Sequence, residues 1–254
     1  MRPQFSRTPN AYPEPVSETG EEITLVDRIE SFTPITTFVL PERATGSLAH
    51  LFTWWLERGS ELRPQQLALA PGGFESGVTC VDSAIDAGAT LLTFCSNTRV
   101  EPVISRAIIG LLTRKDAWQV THQGPGMSDQ QTMDQLAATV DLIRANRDKR
   151  AEPRELAELD STGTIDFLVG ALLGASARRT PVILGTTYEL AAALIAHRIS
   201  MKASSWWRNG ATSPDRAVGQ AVERMGIDPG LPLDLSDDQG VGARISVELL
   251  TSTI

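Results

Sequence analysis

The chain has 254 residues, 41% of them hydrophobic and 21% charged, with a formal net charge of -8. That composition supports one sizeable core, or a core with a small subdomain. The acidic balance excludes a general affinity for nucleic acid or anionic membranes. Residues 1–22 are rich in Pro, Ser, Thr and Glu and lack periodicity, so a disordered tail is expected there. The start MRPQFSRTPN has no apolar run, and no signal peptide is expected. A short extended piece is predicted at 35–40, ended by Pro41. A helix follows from about Ser47, with Leu48, Leu51, Phe52, Trp55 and Leu56 on one stripe and Gly59 as its stop.

Residues 67–70 are a strand candidate before the Pro71-Gly72-Gly73 turn, and a helix is predicted over 74–87, closed by Gly88. The compact apolar run 90–94 predicts a strand. The polar loop Cys95-Ser96-Asn97-Thr98 leads into a helix over 100–112. An extended piece is predicted at 118–121, then a glycine loop, His122-Gln123-Gly124-Pro125-Gly126. Ser128 is placed to cap a helix that runs to Ala145. Residues 147–152 are a loop, and Pro153 restarts a short helix. An apolar helix is predicted over 164–177, a buried strand over 181–184, an apolar helix over 188–199 and a strand at Trp206-Trp207. Helices over 214–225, stopped by Gly226, and over 242–250 complete the pattern.

Strand, loop and helix alternate, which predicts an α/β fold: a three-layer, Rossmann-like parallel sheet with helices on both faces, plus a small helical subdomain from the terminal segments. Ligands of such folds bind in loops beyond the carboxyl ends of strands. Asn97 and Thr98 are therefore candidates to hold a phosphate or sugar, or else they cap the next helix. Gly124 and Gly126 either let backbone approach a ligand or form a turn with Pro125. His122 is a candidate acid or base, or a plain loop histidine. Asp234, Asp237 and Asp238 form an acidic loop that could supply a base or hold magnesium, or simply be solvated. Cys95 is a reactive or a small buried thiol, and the pairs Trp54-Trp55 and Trp206-Trp207 line a pocket, a dimer contact or the core. Cys80 and Cys95 form neither a metal spacing nor a disulfide framework, which fits a reducing, cytoplasmic compartment. No metal or cofactor is expected.

Several segments share an order with a known family. Residues 76–92 precede Ser96-Asn97-Thr98-Arg99, then Gly124-Pro125-Gly126, the block 167–184, the Ala-rich stretch 191–196, and Leu233-Asp234-Leu235 with Gly240-Val241-Gly242. Gly46-Ser47-Leu48 stands upstream. In this order they resemble the nicotinate-nucleotide:dimethylbenzimidazole phosphoribosyltransferases over most of residues 46–254, as a shortened and diverged member. The resemblance implies one phosphoribosyltransferase-like domain over 23–254 with an N-terminal helical subdomain, a nicotinate mononucleotide-like ligand, and a homodimer. It places substrate and phosphate contacts at Ser96, Asn97, Thr98, Gly124, Gly126, Gly240 and Gly242. It also implies transfer of phosphoribose to dimethylbenzimidazole, for the lower ligand of cobalamin. The family's catalytic glutamate falls on Val241, a basic residue falls near Gln135, and part of the acceptor pocket has no counterpart between Arg58 and Leu67. The expectation is therefore a protein whose catalytic residues are unknown and whose parent reaction is weak. The alternative is a non-catalytic nucleotide-binding protein, or a subunit paired with an intact paralogue.

Overall fold

A computed structural model describes residues 46–58, 61–95, 102–236 and 240–253. The predicted tail and the extended piece at 35–40 lie outside the described residues. Four parallel strands form one sheet in chain order: β1 (Pro64–Ala68), β2 (Leu91–Cys95), β3 (Val182–Leu184) and β4 (Trp207–Asn209). The register pairs Leu92 with Val182, and Val182 with Trp207. Side chains alternate along a strand, so Leu92, Phe94, Val182, Leu184 and Trp207 face one side, and Leu91 and Ile183 the other.

Sequential strand order places right-handed crossovers on a single face of a sheet. The packing agrees. Helices α2 (Gly73–Asp86), α3 (Pro102–Thr113), α6 (Thr164–Ala177) and α7 (Thr187–Ile199) share the larger core with the Leu92 face. The outer helix α5 (Asp129–Ala145) and α8 (Arg216–Met225) pack on that layer. The opposite face carries the first and last helices of the described residues, α1 (Ser47–Arg58) and α9 (Val241–Thr253), through Leu51, Trp55, Ala243 and Leu250. Helices thus cover both faces, as the alternation predicts. Trp54, Trp55, Trp206 and Trp207 are all buried, so both tryptophan pairs are core packing.

Helix α6 is buried on every side by its own chain from Phe167 to Ala177. Its approach to α2 is backbone on backbone. A Cβ at Gly170 would stand 2.0 Å from the Phe74 carbonyl oxygen, and one at Gly77 would stand 1.9 Å from that of Phe167. Small residues are what let the two helices close to that distance. The small, apolar character of α6 is thus used within the chain.

Three expectations are corrected. The segment 118–121 is not extended, because Ala117–Val120 forms the short helix α4. Asp116 and Gln119 close a reciprocal capping box there, with the Gln119 side chain accepting from the Asp116 N–H at 3.0 Å, and this outweighs the β-type residues. Strand β1 begins at Pro64, earlier than the predicted 67–70, because pairing with β2 sets its register. A proline is tolerated at a strand's first position, where no ladder N–H is required. The fourth strand starts at Trp207, since Trp206 ends a 3-10 turn, Met201–Trp206. Among the described residues, no helix is long and apolar enough to cross a membrane.

Candidate functional site

Beyond the carboxyl ends of β3 and β4 lies a cleft open to solvent. Its walls come from five places in the chain. Helix α3 supplies Arg106, and the loop before α5 supplies His122, Gly124 and Pro125. The end of β3 and start of α7 supply Gly185, Thr187 and Leu190. The end of β4 and the entry to α8 give Asn209, Ser213 and Asp215. Leu235 and Ser236 from the segment before α9, with Gly242 in its first turn, close it.

Arg106 sits in an otherwise apolar helix and is only 4% exposed. Its Nη2 donates to Asp215 Oδ2 at 2.8 Å, and its Nη1 donates to Gln135 Oε1 at 2.7 Å. Asp215 is the N-cap of α8, where Oδ1 accepts from the Ala217 N–H at 2.9 Å. Its own N–H donates to Ser213 Oγ at 3.1 Å. The cleft wall therefore holds an ion pair with both partners largely withdrawn from water.

The floor is set by a second acid. Thr186 caps α7, its Oγ1 accepting from the Glu189 N–H at 3.1 Å. The Glu189 carboxyl, fully buried, accepts from the Gly185 N–H at 2.8 Å and from the Thr186 hydroxyl at 3.1 Å. Burial pushes this carboxyl up to about 8, against the pull of the Gly185 and Thr186 hydrogen bonds. Glu189 thereby fixes the turn that presents Gly185 and Thr187 to the cleft. The Thr187 hydroxyl lies 3.4 Å from that of Ser105, tying α7 to α3.

Gly185, Gly210 and Gly242 let the last helix reach this floor, and Gly230 lets its own loop close on the end of β4. A Cβ at Gly185 would come within 2.7 Å of Gly240 Cα, and one at Gly210 within 2.4 Å of the Ala243 nitrogen. At Gly230 it would meet the Asn209 carbonyl oxygen at 2.5 Å, and at Gly242 the Ala211 Cβ at 2.8 Å. The start of α9 is seated directly on the ends of β3 and β4. Val241, half-buried, is the first residue of α9 and precedes the cleft-lining Gly242. The N-termini of α7 and α9 thus meet at one cleft, where the positive ends of the two helix dipoles converge.

Of the residues singled out from sequence, Gly124, Gly242 and His122 line this cleft. Gly240 is buried below it, packed against Gly185. Gly126 turns with a φ of 76° and is exposed, outside the cleft walls. Ser96, Asn97, Thr98, Asp237 and Asp238 lie outside the described residues. Asp234 ties its loop to the segment after β4, accepting from the Thr212 hydroxyl at 2.8 Å. Cys95 is half-buried at the end of β2 with its Sγ 3.6 Å from the Leu67 carbonyl oxygen. No group of three or more metal-ligating side chains occurs among the described residues. Sequence reasoning missed Arg106 and Asp215. The signal was there, a lone arginine in the apolar run Val103-Ile104-Ser105-Arg106-Ala107-Ile108, since a charge inside such a stripe needs a buried partner.

Comparison with known proteins bears on this cleft. The model of a family described as phosphoribosyltransferase matches residues 58–254. Among curated proteins, the nicotinate-nucleotide–dimethylbenzimidazole phosphoribosyltransferase of Streptomyces avermitilis is 30% identical over 182 residues, covering 71% of this chain and 48% of that one. The protein of the same description from Chloroflexus aggregans is 30% identical over 184 residues, covering 71% and 51%. The crystal structure of CobT from Thermus thermophilus superposes with a TM-score of 0.61 at 22% identity, over 69% of this chain and 53% of that one. The chain therefore spans about half the length of the curated relatives it matches.

Proposed function

Since the chain belongs to the family of the nicotinate-nucleotide–dimethylbenzimidazole phosphoribosyltransferases, we propose that its cleft binds a nicotinate mononucleotide-like phosphate ester and that the parent transfer runs slowly or not at all. The observation that carries this reading is Val241. The reaction implied by the family removes a proton from one benzimidazole nitrogen while the other attacks the anomeric carbon. Such a step gains roughly 10²–10⁴-fold from a positioned base. Valine at the first position of α9 has no group to take the proton. Arg106 and Asp215 are committed to one another, which leaves His122 as the ionisable side chain of the described cleft wall outside that pair.

Binding survives this loss. The meeting of two helix N-termini with Thr187, Ser213 and Arg106 favours an anion without any base. A role in assembling the lower ligand of cobalamin, as a weak enzyme or as a binding subunit beside an intact paralogue, follows from the family. The homodimer rests on the family resemblance alone. A cytoplasmic location is supported by two unpaired cysteines.

The test is incubation of the purified chain with nicotinate mononucleotide and dimethylbenzimidazole, with the riboside phosphate read by chromatography. Binding is expected with little product, and Val241→Glu is expected to raise the rate. Wild-type turnover near that of ordinary enzymes, about 10 s⁻¹, would overturn the reading.

A further inference from the structure

The arginine in the cleft wall is unevenly used. A guanidinium carries five N–H donors. In Arg106, Nη2 serves Asp215 and Nη1 serves Gln135, while the buried Nε has no hydrogen-bond partner among the described residues. Withdrawing two charges from water costs several kcal/mol per ion, offset only when the remaining donors and acceptors are filled. A purely structural pair at this place would gain from apolar replacement. Asp215, by contrast, is fully used, with one oxygen on the α8 cap and one on Arg106. The spare capacity of the pair lies on the cationic side, and both residues line the cleft.

We infer that Arg106 recognises the phosphate group of the ligand in this cleft, and that Asp215 acts as a built-in competing anion that lowers the affinity. The inference rests on the nucleotide-binding reading above and names its phosphate contact. A phosphate monoester reaching Arg106 engages the spare N–H groups, with the Thr187 and Ser213 hydroxyls in the same walls. It also meets the Asp215 carboxylate on the same guanidinium, and like charges at such range oppose each other strongly in a partly dry site. Gln135 orients the guanidinium through Nη1 but carries no charge of its own.

The experiment uses the full chain and two variants, with titration calorimetry against nicotinate mononucleotide, ribose 5-phosphate and inorganic phosphate. Asp215→Asn keeps the Oδ1 acceptor that caps α8, and removes the charge together with the Oδ2 acceptor that holds Arg106 Nη2. Arg106→Gln/Asp215→Asn replaces the ion pair by a neutral one, so no buried charge is left unpaired, and thermal unfolding checks that it is folded. Asp215→Asn is expected to bind nicotinate mononucleotide about tenfold more tightly than wild type, with the gain shrinking as salt rises. The double variant is expected to lose at least tenfold from that value. Unchanged or weaker binding by Asp215→Asn, or binding by the folded double variant as tight as that of Asp215→Asn, overturns the inference. If wild type binds ribose 5-phosphate or inorganic phosphate but not the nucleotide, the nucleotide reading fails while the same comparison of variants still decides the role of Arg106. If none of the three ligands binds any of the three proteins, both fail.

Discussion

Replacing Glu189 by glutamine should change how stability depends on pH, and in an unusual direction. Glu189 is fully buried at the start of α7, and its carboxyl is raised from 4.5 to about 8. Its affinity for a proton is thus higher in the folded chain than in the unfolded one. Between those two values the folded state holds a proton that the unfolded state has released, so stability is fully present below pH 4.5 and is lost as pH rises toward 8. Each pH unit costs up to about 1.4 kcal/mol, and the whole window is on the order of 5 kcal/mol. Glutamine keeps the shape, its oxygen can accept from the Gly185 N–H, and it does not titrate. The assay is urea unfolding of both proteins from pH 4 to 9. The other ionisable groups are common to both chains and cancel in the difference. The stability of Glu189→Gln relative to wild type is expected to rise steadily with pH and to level off above about 8. A difference that stays constant across the range would refute the argument that burial governs this carboxyl.

Two further outcomes follow from the packing. Gly170→Ala drives a methyl to 2.0 Å from the Phe74 carbonyl oxygen, where only helix displacement relieves it, so a loss of at least roughly 3 kcal/mol is expected in denaturant unfolding. Retention of wild-type stability would mean that α2 and α6 are not in backbone contact. Ser176→Ala removes the acceptor of the buried Trp207 indole N–H, which donates to Ser176 Oγ at 3.0 Å, and should cost about 1–3 kcal/mol. The near-ultraviolet circular dichroism of the tryptophans should change with it, and an unaltered spectrum and midpoint would count against that bond.

The fold was legible in the sequence wherever one local signal agreed with burial. The apolar helix predicted over 164–177 coincides with α6, and the runs at 90–94 and 181–184 became the paired strands β2 and β3. Ser128 caps α5 as expected, and Gln131 completes a capping box with it. Errors arose where two signals competed. At Trp118 the β-type residues pointed one way and the Asp116–Gln119 cap the other, and the cap prevailed. At β1 the hydrophobic pattern is too sparse to set a boundary, since only Leu67 is buried in that strand. The site was legible at its rim, in Gly124, His122 and Gly242, because loops are read from glycine and histidine. Its wall was not. The Arg106–Asp215 pair joins residues 109 apart in the chain, and nothing local couples a helix interior to a distant helix cap. The carboxyl of Glu189 was hidden for the opposite reason, because a glutamate three residues after a capping threonine reads as an ordinary exposed first turn.

The crowding beneath the cleft has an evolutionary consequence. Side chains at Gly185, Gly210, Gly230 or Gly242 would collide with backbone or Cβ atoms whatever the cleft contains. Selection for a folded chain alone would therefore hold these positions fixed, with no demand from catalysis. Position 241 lies beside one of them under no such steric constraint toward glycine, and is free to drift once the reaction is no longer needed. A lineage can thus lose its chemistry while its glycine signature persists. Family membership inferred from that signature then records shared architecture and common descent, and the neighbouring side chain must be read separately to learn whether turnover has been kept.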